Sequence, residues 1–268
     1  MIDKILFPVD FSPSCSAMAP YVRRAADMFG ARVTAVHVCD LESHNGFELL
    51  ARVPQEIADE HKEIAKECLA SYLQSEFPPD ECSRILRYGD AATQIAQVAR
   101  TGKFDLIIMP THAGRFRRML LGSTTAKVLN DADCPVLTTR HAETVVPRPL
   151  EHRVWVCAID LTPDSERILR LASRAAADAG ANLCVIHVTR EAAAQDARRQ
   201  LHKLLEKVAC EATLRVAAGP TKETLLEAAR DSAADALIVG RSPADPVGRL
   251  RDLTYSLIRD SPFPVLSV

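Results

Sequence analysis

The sequence lacks the cysteine spacing of a metal site or a redox motif. Its eight cysteines include no Cys-x-x-Cys pair, and several fall inside apolar strand patterns. Structural zinc sites use closely spaced ligand pairs, and disulfide frameworks belong mainly to short secreted domains. We therefore interpret the cysteines as small hydrophobic residues of a protein in a reducing compartment.

Long apolar runs and an excess of one charge are also missing. No stretch reaches the roughly 20 apolar residues that span a bilayer, and the first residues lead directly into a strand pattern rather than a signal peptide. The 33 basic and 35 acidic residues give a formal net charge of −2, which offers no general attraction for nucleic acid or acidic membranes. These features predict a cytoplasmic protein that binds neither nucleic acid nor membrane.

Two signatures of phosphoryl transfer and hydrolysis are absent as well. The sequence contains neither a G-x4-G-K-[ST] phosphate loop nor a G-x-S-x-G nucleophile elbow. No carboxylate or second histidine is placed to form a catalytic triad or a metal site. We expect at most slow hydrolysis of a bound nucleotide, with no catalytic residue assigned.

The chain does contain apolar, β-branched runs that alternate with amphipathic helical patterns. Strand patterns occur at residues 2–9, 31–39, 84–88, 104–109 and 135–139, with helical patterns at 18–29, 55–76, 91–100 and 123–130. Strands that are apolar throughout need cover on both faces of their sheet. The order therefore predicts an α/β fold with a parallel sheet.

The pattern then repeats. The matched segments are ILFPVDFSP (5–13) with WVCAIDLTP (155–163), AADMFGARVTAVHV (25–38) with AAADAGANLCVIHV (175–188), FDLIIMPTH (104–112) with ADALIVGRS (234–242), and LNDADCPVLT (129–138) with IRDSPFPVLS (258–267). Between the copies lies a proline-containing segment without apolar periodicity. The repeat predicts two domains, 1–140 and 153–268, joined by a linker at 141–152.

Three segments of the first half carry a resemblance to a known family. They are PVDFS at the end of the first strand, VHV at the end of the second, and MPTHAGRFRRMLLGSTTAKVLNDADCPVLT at 109–138. Each half resembles a universal stress protein domain, so the chain resembles a tandem universal stress protein. The resemblance implies two repeated, doubly wound, five-stranded parallel sheets of order 3-2-1-4-5 with helices on both faces. It also implies pairing through the last strand, between the two domains of the chain or in a homodimer.

This strand order predicts the location of a ligand site. The first and fourth strands are neighbours from which the chain winds outward in opposite directions, and ligands bind at the carboxyl ends of strands at such a point. Segments 10–13 and 110–122 lie there. The second of them leads into a helix whose N-terminal N–H groups and dipole attract anions.

The resemblance implies ATP, with or without Mg²⁺, bound through the pattern G-x2-G-x9-G-[ST]. Gly122–Ser123 match its final pair, while Pro110 and Ala113 replace its first two glycines and the spacing is one residue short. Gly114 restores flexibility beside Ala113, whereas proline has no N–H to donate. The site thus matches the family pattern at the helix start, Gly122–Ser123, and departs from it at the beginning of the loop, at Pro110 and Ala113.

Ten residues of the first half are candidate nucleotide ligands. They are Pro8, Asp10, Val38, Met109, Pro110, His112, Gly114, Gly122, Ser123 and Thr124. For Asp10 the alternative is a turn former ahead of Ser12, and for Val38 it is core packing. Ser123 or Thr124 could simply cap a helix.

Other residues near this loop have plainer interpretations. Arg115, Arg117 and Arg118 suit phosphate binding, a solvated face or a contact with the other half of the chain. His37 and His187 recur inside apolar strands, where a histidine is usually satisfied by hydrogen bonds rather than catalytic.

The second half departs further from the ATP pattern. Gly240 matches the first glycine, but Pro243 stands at the second, and Arg251–Asp252 replace the final pair. A carboxylate beside a triphosphate would repel it. We therefore expect this half to bind ATP weakly or not at all, and Asp160 to form a turn rather than contact a ligand.

The leading hypothesis is a stress-response protein that binds ATP or a related adenine nucleotide, chiefly in its N-terminal domain, in a regulatory role. One alternative is a scaffold or dimerisation module that binds no nucleotide, which the changes at Pro110 and Ala113 favour. The other is a slow ATPase.

Overall fold

The computed structural model describes residues 2–39, 55–111, 121–140, 153–241 and 252–268. Its first half contains β1 (Lys4–Pro8), α1 (Pro13–Ser16), α2 (Ala19–Phe29), β2 (Arg32–Cys39), α3 (Gln55–Ser71), β3 (Cys82–Tyr88), α4 (Ala91–Gly102), β4 (Leu106–Pro110), α5 (Ser123–Asp131) and β5 (Val136–Thr139). Its second half contains β6 (Val154–Ala158), α6 (Ser165–Asp178), β7 (Asn182–Thr189), α7 (Ala194–Val208), β8 (Thr213–Ala218), α8 (Thr221–Asp231), β9 (Ala236–Val239), α9 (Asp252–Asp260) and β10 (Val265–Ser267).

The strands of each half run parallel in the predicted order. The first half has the order β3-β2-β1-β4-β5, and the second has the equivalent order β8-β7-β6-β9-β10. The predicted fold class is therefore confirmed. The two sheets are also joined, because β5 and β10 pair antiparallel with Leu137 opposite Leu266, which gives one ten-stranded sheet. This pairing satisfies the backbone of two strands that would otherwise be exposed edges.

The core lies in two layers, one on each face of the sheet. In β1, Ile5 and Phe7 pack into the layer that contains Val22 of α2, while Leu6 packs with Ile95 of α4 in the other layer. Successive strand residues point to opposite faces, and both layers exclude water here. That is why this strand is apolar at every position from Ile5 to Pro8.

Several boundaries differ from the predicted ones. The helix predicted at 18–29 is preceded by the separate short helix α1, which Ser12 caps by accepting a hydrogen bond from Cys15 N at 3.1 Å. The helix predicted to continue to residue 76 ends at Ser71. Amphipathic periodicity continues past that point, so the pattern alone does not mark the end of the helix.

The cysteines follow the interpretation as core residues for the most part. Cys15, Cys82, Cys157, Cys184 and Cys210 are buried, and all eight cysteines are free thiols. Burial raises the pKa of Cys15 to about 12, which keeps it protonated. Among the described residues, no group of side chains suits a metal ion, and no described helix is both long and apolar enough to cross a membrane.

Candidate functional site

A cleft opens at the carboxyl ends of β1, β2 and β4, where the predicted switch point lies. Its volume is about 210 Å³, and its walls come from these strand ends and the N-terminal turns of α4 and α5. Eight of the ten predicted ligand residues line it, namely Pro8, Asp10, Val38, Met109, Pro110, Gly122, Ser123 and Thr124. His112 and Gly114 lie outside the described residues. The ligand role of all ten remains a prediction.

Six lining residues were not among the predicted ligands. They are Val9, Val36, His37, Ala91, Ile95 and Thr125. The sequence did predict the start of α4 at Ala91, directly after the N-cap Asp90, but not that this helix start borders the cleft. Which face of α4 borders the cleft depends on packing, and no local pattern indicates it.

The cleft floor beside β1 is a tight turn centred on Phe11. The backbone of Phe11 is left-handed, with φ of 61°, and the Asp10 carboxylate accepts a hydrogen bond from Ser12 N at 2.9 Å. Asp10 is therefore a turn former, the alternative considered for it, and it also lines the cleft. The second half repeats this turn, with Leu161 at φ of 59° and Asp160 accepting from Thr162 N at 3.2 Å.

His37 and its repeat hold the strand ends together. Nδ1 of His37 lies 2.7 Å from the carbonyl oxygen of Val9, and Nδ1 of His187 lies 2.7 Å from that of Ile159. A carbonyl can only accept, so Nδ1 carries the proton in both histidines. The His37 ring also packs 4.3 Å from the ring of Phe11, centroid to centroid. These contacts confirm that both side chains are satisfied by hydrogen bonds.

The N-terminus of α5 faces the cleft without a side-chain cap. The N-cap is Gly122, whose backbone is extended, with φ of −60° and ψ of 143°. Ser123 is consequently the first helical residue, so the simple capping role considered for Ser123 or Thr124 is wrong. Because glycine has no side chain, the first-turn N–H groups lack their usual acceptor.

Two backbone-directed hydrogen bonds fix this helix end against β4. Gly122 N donates to the carbonyl oxygen of Thr111 at 2.8 Å, and the Thr125 hydroxyl donates to that of Pro110 at 3.0 Å. The bond from Thr125 is buried. The helix start is thus held next to the strand end, with its N–H groups and the hydroxyls of Ser123 and Thr124 available to an anion.

An ion pair links the two helices that border the cleft. Asp90 caps α4 by accepting from Thr93 N at 3.0 Å and from the Thr93 hydroxyl at 2.7 Å. Its second carboxylate oxygen accepts from Lys127 of α5 at 3.1 Å. The Thr93 hydrogen bonds, followed by Lys127, hold the pKa of Asp90 down at about 2.

The equivalent region of the second half differs at the helix start. Asp252 is the first residue of α9, at the place of Ser123, and its carboxylate complements the positive end of the helix dipole. Thr254 still donates to the carbonyl oxygen of Gly240, at 3.3 Å, as Thr125 does to Pro110. The threonine contact that supports the helix start is therefore kept in the second domain. The start of α9 differs in that Asp252 already provides a negative charge there.

The comparison with known families also finds two copies of one domain in the chain. The model of the universal stress protein family matches residues 1–140 and again residues 152–268. The chain belongs to the universal stress protein family. It carries two universal stress protein domains, as the sequence resemblance implied.

Individual relatives match one domain or the whole chain. A universal stress protein of Thermus aquaticus is 32% identical over 145 residues, which are 52% of this chain and all of that protein. The crystal structure of a universal stress protein from Archaeoglobus fulgidus covers 100% of this chain and 98% of its own, with a TM-score of 0.78 at 22% identity. That likeness shows the fold. Another Archaeoglobus fulgidus universal stress protein, solved in complex with dAMP, covers 44% of this chain and 98% of its own, at 17% identity and a TM-score of 0.36.

Proposed function

We propose that the first domain binds ATP or a related adenine nucleotide and that binding is regulatory. The observation that carries the proposal is the uncapped N-terminus of α5 at the switch-point cleft. A phosphate there would receive hydrogen bonds from backbone N–H groups and would lie at the positive end of the helix dipole. The hydroxyls of Ser123 and Thr124 add two further donors.

The remaining walls suit the uncharged part of a nucleotide. Val36, Ile95 and Met109 offer apolar surface, and the end of β2 at Val38 offers backbone groups. The volume of about 210 Å³ is below the roughly 300 Å³ at which pockets enclose a whole drug-sized ligand. The cleft therefore suits a nucleotide that is held in part and remains in part at the surface.

A regulatory role follows from what the ligand would contact. The helix α5 leads directly into β5, the strand that pairs with β10 of the second domain. A ligand at the start of α5 would change the conformation of the segment 110–123. Through this helix it would also change the contact between the domains, or the contact with a further protein in the stress response. The second domain, with Asp252 at its helix start, is proposed not to bind the nucleotide.

Mass spectrometry of the freshly purified full chain, followed by isothermal titration, tests this proposal. We expect a co-purifying adenine nucleotide, or one binding event per chain with ATP and Mg²⁺, AMP or dAMP. Absence of both would exclude nucleotide binding and leave the scaffold or dimerisation role. Steady phosphate release that follows the binding affinity would instead identify a slow ATPase.

Gly122 supplies a matched pair of variants for the same experiment. Its φ of −60° is allowed for every residue, so Gly122→Ala should fold and should lose far less affinity than a variant that adds a charge. Gly122→Glu places a carboxylate at the proposed phosphate position and should abolish binding. Equal binding by both variants would place the nucleotide elsewhere.

A further inference from the structure

The segments that follow β4 and β9 are equivalent in backbone but not in side chain. After β4, Thr111 N donates to the carbonyl oxygen of Thr139 at 3.3 Å, and after β9, Arg241 N donates to that of Val268 at 2.6 Å. In both cases the chain is tied to the end of the last strand of its own domain. The side chain at this position is a short hydroxyl in the first domain and a long guanidinium in the second.

The Arg241 guanidinium crosses into the first domain. Its Nη1 donates to the carbonyl oxygens of Leu129 at 2.8 Å and Ala132 at 3.1 Å, and its Nη2 donates to that of Cys134 at 2.6 Å. These carbonyls belong to the last turn of α5 and the segment just after it, where a helix leaves acceptors without partners. A positive charge at this end also complements the helix dipole.

The second domain satisfies its equivalent carbonyl without help. There the Ser261 hydroxyl donates to the carbonyl oxygen of Phe263 at 2.9 Å and accepts from Phe263 N at 3.1 Å. In the first domain this serine is replaced by Ala132, which is buried, with 8% of its surface exposed, and has no hydroxyl. The donor that the first domain lacks is therefore provided by the second, over a chain separation of 107 residues between Arg241 and Cys134.

We propose that Arg241 is a positioning residue for the cleft of the first domain: it holds the carboxyl end of α5 and thereby fixes the helix start that lines the cleft. The helix has nine residues, so at 1.5 Å per residue its two ends are only about 13 Å apart. The other end of this short helix carries the cleft residues Gly122, Ser123 and Thr124. The expected effect of Arg241 on nucleotide binding rests on the proposed function. Its effect on the position of α5 does not depend on that function.

Amide hydrogen exchange of the ligand-free full chain tests the hold on α5. Arg241→Thr, which installs the residue found after β4, leaves three partly buried carbonyls without their donor. Carbonyls left without a donor destabilise the helix end, so we expect the amides of α5 to exchange about tenfold faster, which corresponds to about 1.4 kcal/mol. Exchange at the original rate would overturn the proposal.

A second substitution separates the missing hydrogen bond from general damage. Ala132→Ser copies Ser261 into the first domain, and in the Arg241→Thr background we expect it to return much of the lost protection. As a control, Arg100→Thr removes an arginine that contacts the same turn through an exposed pair with Asp133, 2.6 Å long. The Arg100→Thr variant should leave the exchange rates in α5 unchanged. If its α5 amides lose as much protection as those of Arg241→Thr, the hold on α5 cannot be assigned to Arg241.

Titration with ATP and Mg²⁺ then tests the link to the cleft. We expect Arg241→Thr to raise the Kd several-fold at a temperature where it is fully folded, and the added Ala132→Ser to lower it again. Faster exchange with an unchanged Kd would overturn the positioning role. If the original chain binds no nucleotide, the proposed function fails, while the exchange experiment still decides whether Arg241 holds α5.

Discussion

Ser123 and Asp252 occupy the same place in the two domains, the first residue of the helix after the fourth strand. The serine lines a cleft, whereas the aspartate brings a carboxylate to the positive end of its helix. In each domain a threonine two residues later donates to the carbonyl at the end of the strand, at 3.0 Å from Thr125 and 3.3 Å from Thr254. The first helical residue therefore leaves one helix end open to an anion and gives the other a negative charge of its own.

Ser123→Asp should uncouple stability from nucleotide binding. The new carboxylate would weaken ATP binding at least tenfold by charge repulsion, while its interaction with the helix dipole adds about 0.3–1 kcal/mol to the free energy of unfolding. Isothermal titration and thermal unfolding measure the two effects. Ser123→Asn is the neutral control and should lose far less affinity. Undiminished ATP binding by Ser123→Asp would contradict a phosphate at this helix end.

At the scale of elements, α4 and α5 form one wall of the cleft and are joined by the contact between Asp90 and Lys127. Asp90 caps α4 through Thr93, and the carboxylate that forms the cap also reaches α5. Asp260 and Lys222 form a similar link between α9 and α8 of the second domain, at 3.1 Å. Each domain thus connects this pair of helices at the surface with one carboxylate and one lysine.

Asp90→Ala should lower the free energy of unfolding by about 1 kcal/mol at pH 7, the typical loss for an N-cap. The folded-state pKa of Asp90 is about 2, below its ordinary value of 3.8. A depressed pKa stabilises the folded state above the unfolded pKa, and this contribution is lost as the pH falls from about 4 to 2. Denaturant unfolding at several pH values should show the difference between variant and original chain shrinking over this window.

Asp90→Asn serves as the control for that experiment. Asparagine keeps an oxygen that can cap α4, but it does not titrate. Its stability should therefore fall less than that of Asp90→Ala at neutral pH and follow pH less steeply than the original chain. A difference between Asp90→Ala and the original chain that stays constant down to pH 2 would show that the carboxylate charge contributes nothing.

At the scale of the whole molecule, the two domains form one sheet rather than two neighbouring units. The joining ladder is short, with three residue pairs between β5 and β10, but Val136 and Val265 within it are almost completely buried. Arg241 adds three hydrogen bonds that run in one direction, from the second domain to the first. The interface is therefore unequal, although the two folds are alike.

Cutting the chain between the domains should not separate them. A protease site placed within residues 141–152, the predicted linker, should allow the chain to be cut, and the two pieces should then co-elute in size-exclusion chromatography at the position of the uncut chain. Leu266→Asp, which puts a charge opposite Leu137 in the ladder, should make the cut pieces elute apart. Leu253→Asp, at a leucine with 38% exposure, is the control and should not. Separation of the original pieces after cutting would contradict a stable joint sheet.

Local patterns of residues were sufficient to predict the α/β class, the repeat and most strands and helices, because apolar periodicity and the signals at helix ends depend on neighbouring residues only. The start of α5 at Ser123, for example, was predicted from such signals. Eight predicted ligand residues meet at one cleft because parallel strands bring their carboxyl ends together.

The distant groups that complete this arrangement could not be predicted from local patterns, because they meet only when the chain is folded. The hydrogen bond from His37 to Val9, the ladder between β5 and β10 and the reach of Arg241 into the first domain join residues 28 to more than 100 positions apart. A residue pattern encodes which face of an element is apolar, but not which carbonyl a long side chain reaches on another element. In the sequence, Arg241 is simply a basic residue after the fourth strand of the second domain. The proposal that it supplies hydrogen bonds to the end of α5 depends on Ala132 lacking the hydroxyl that Ser261 has.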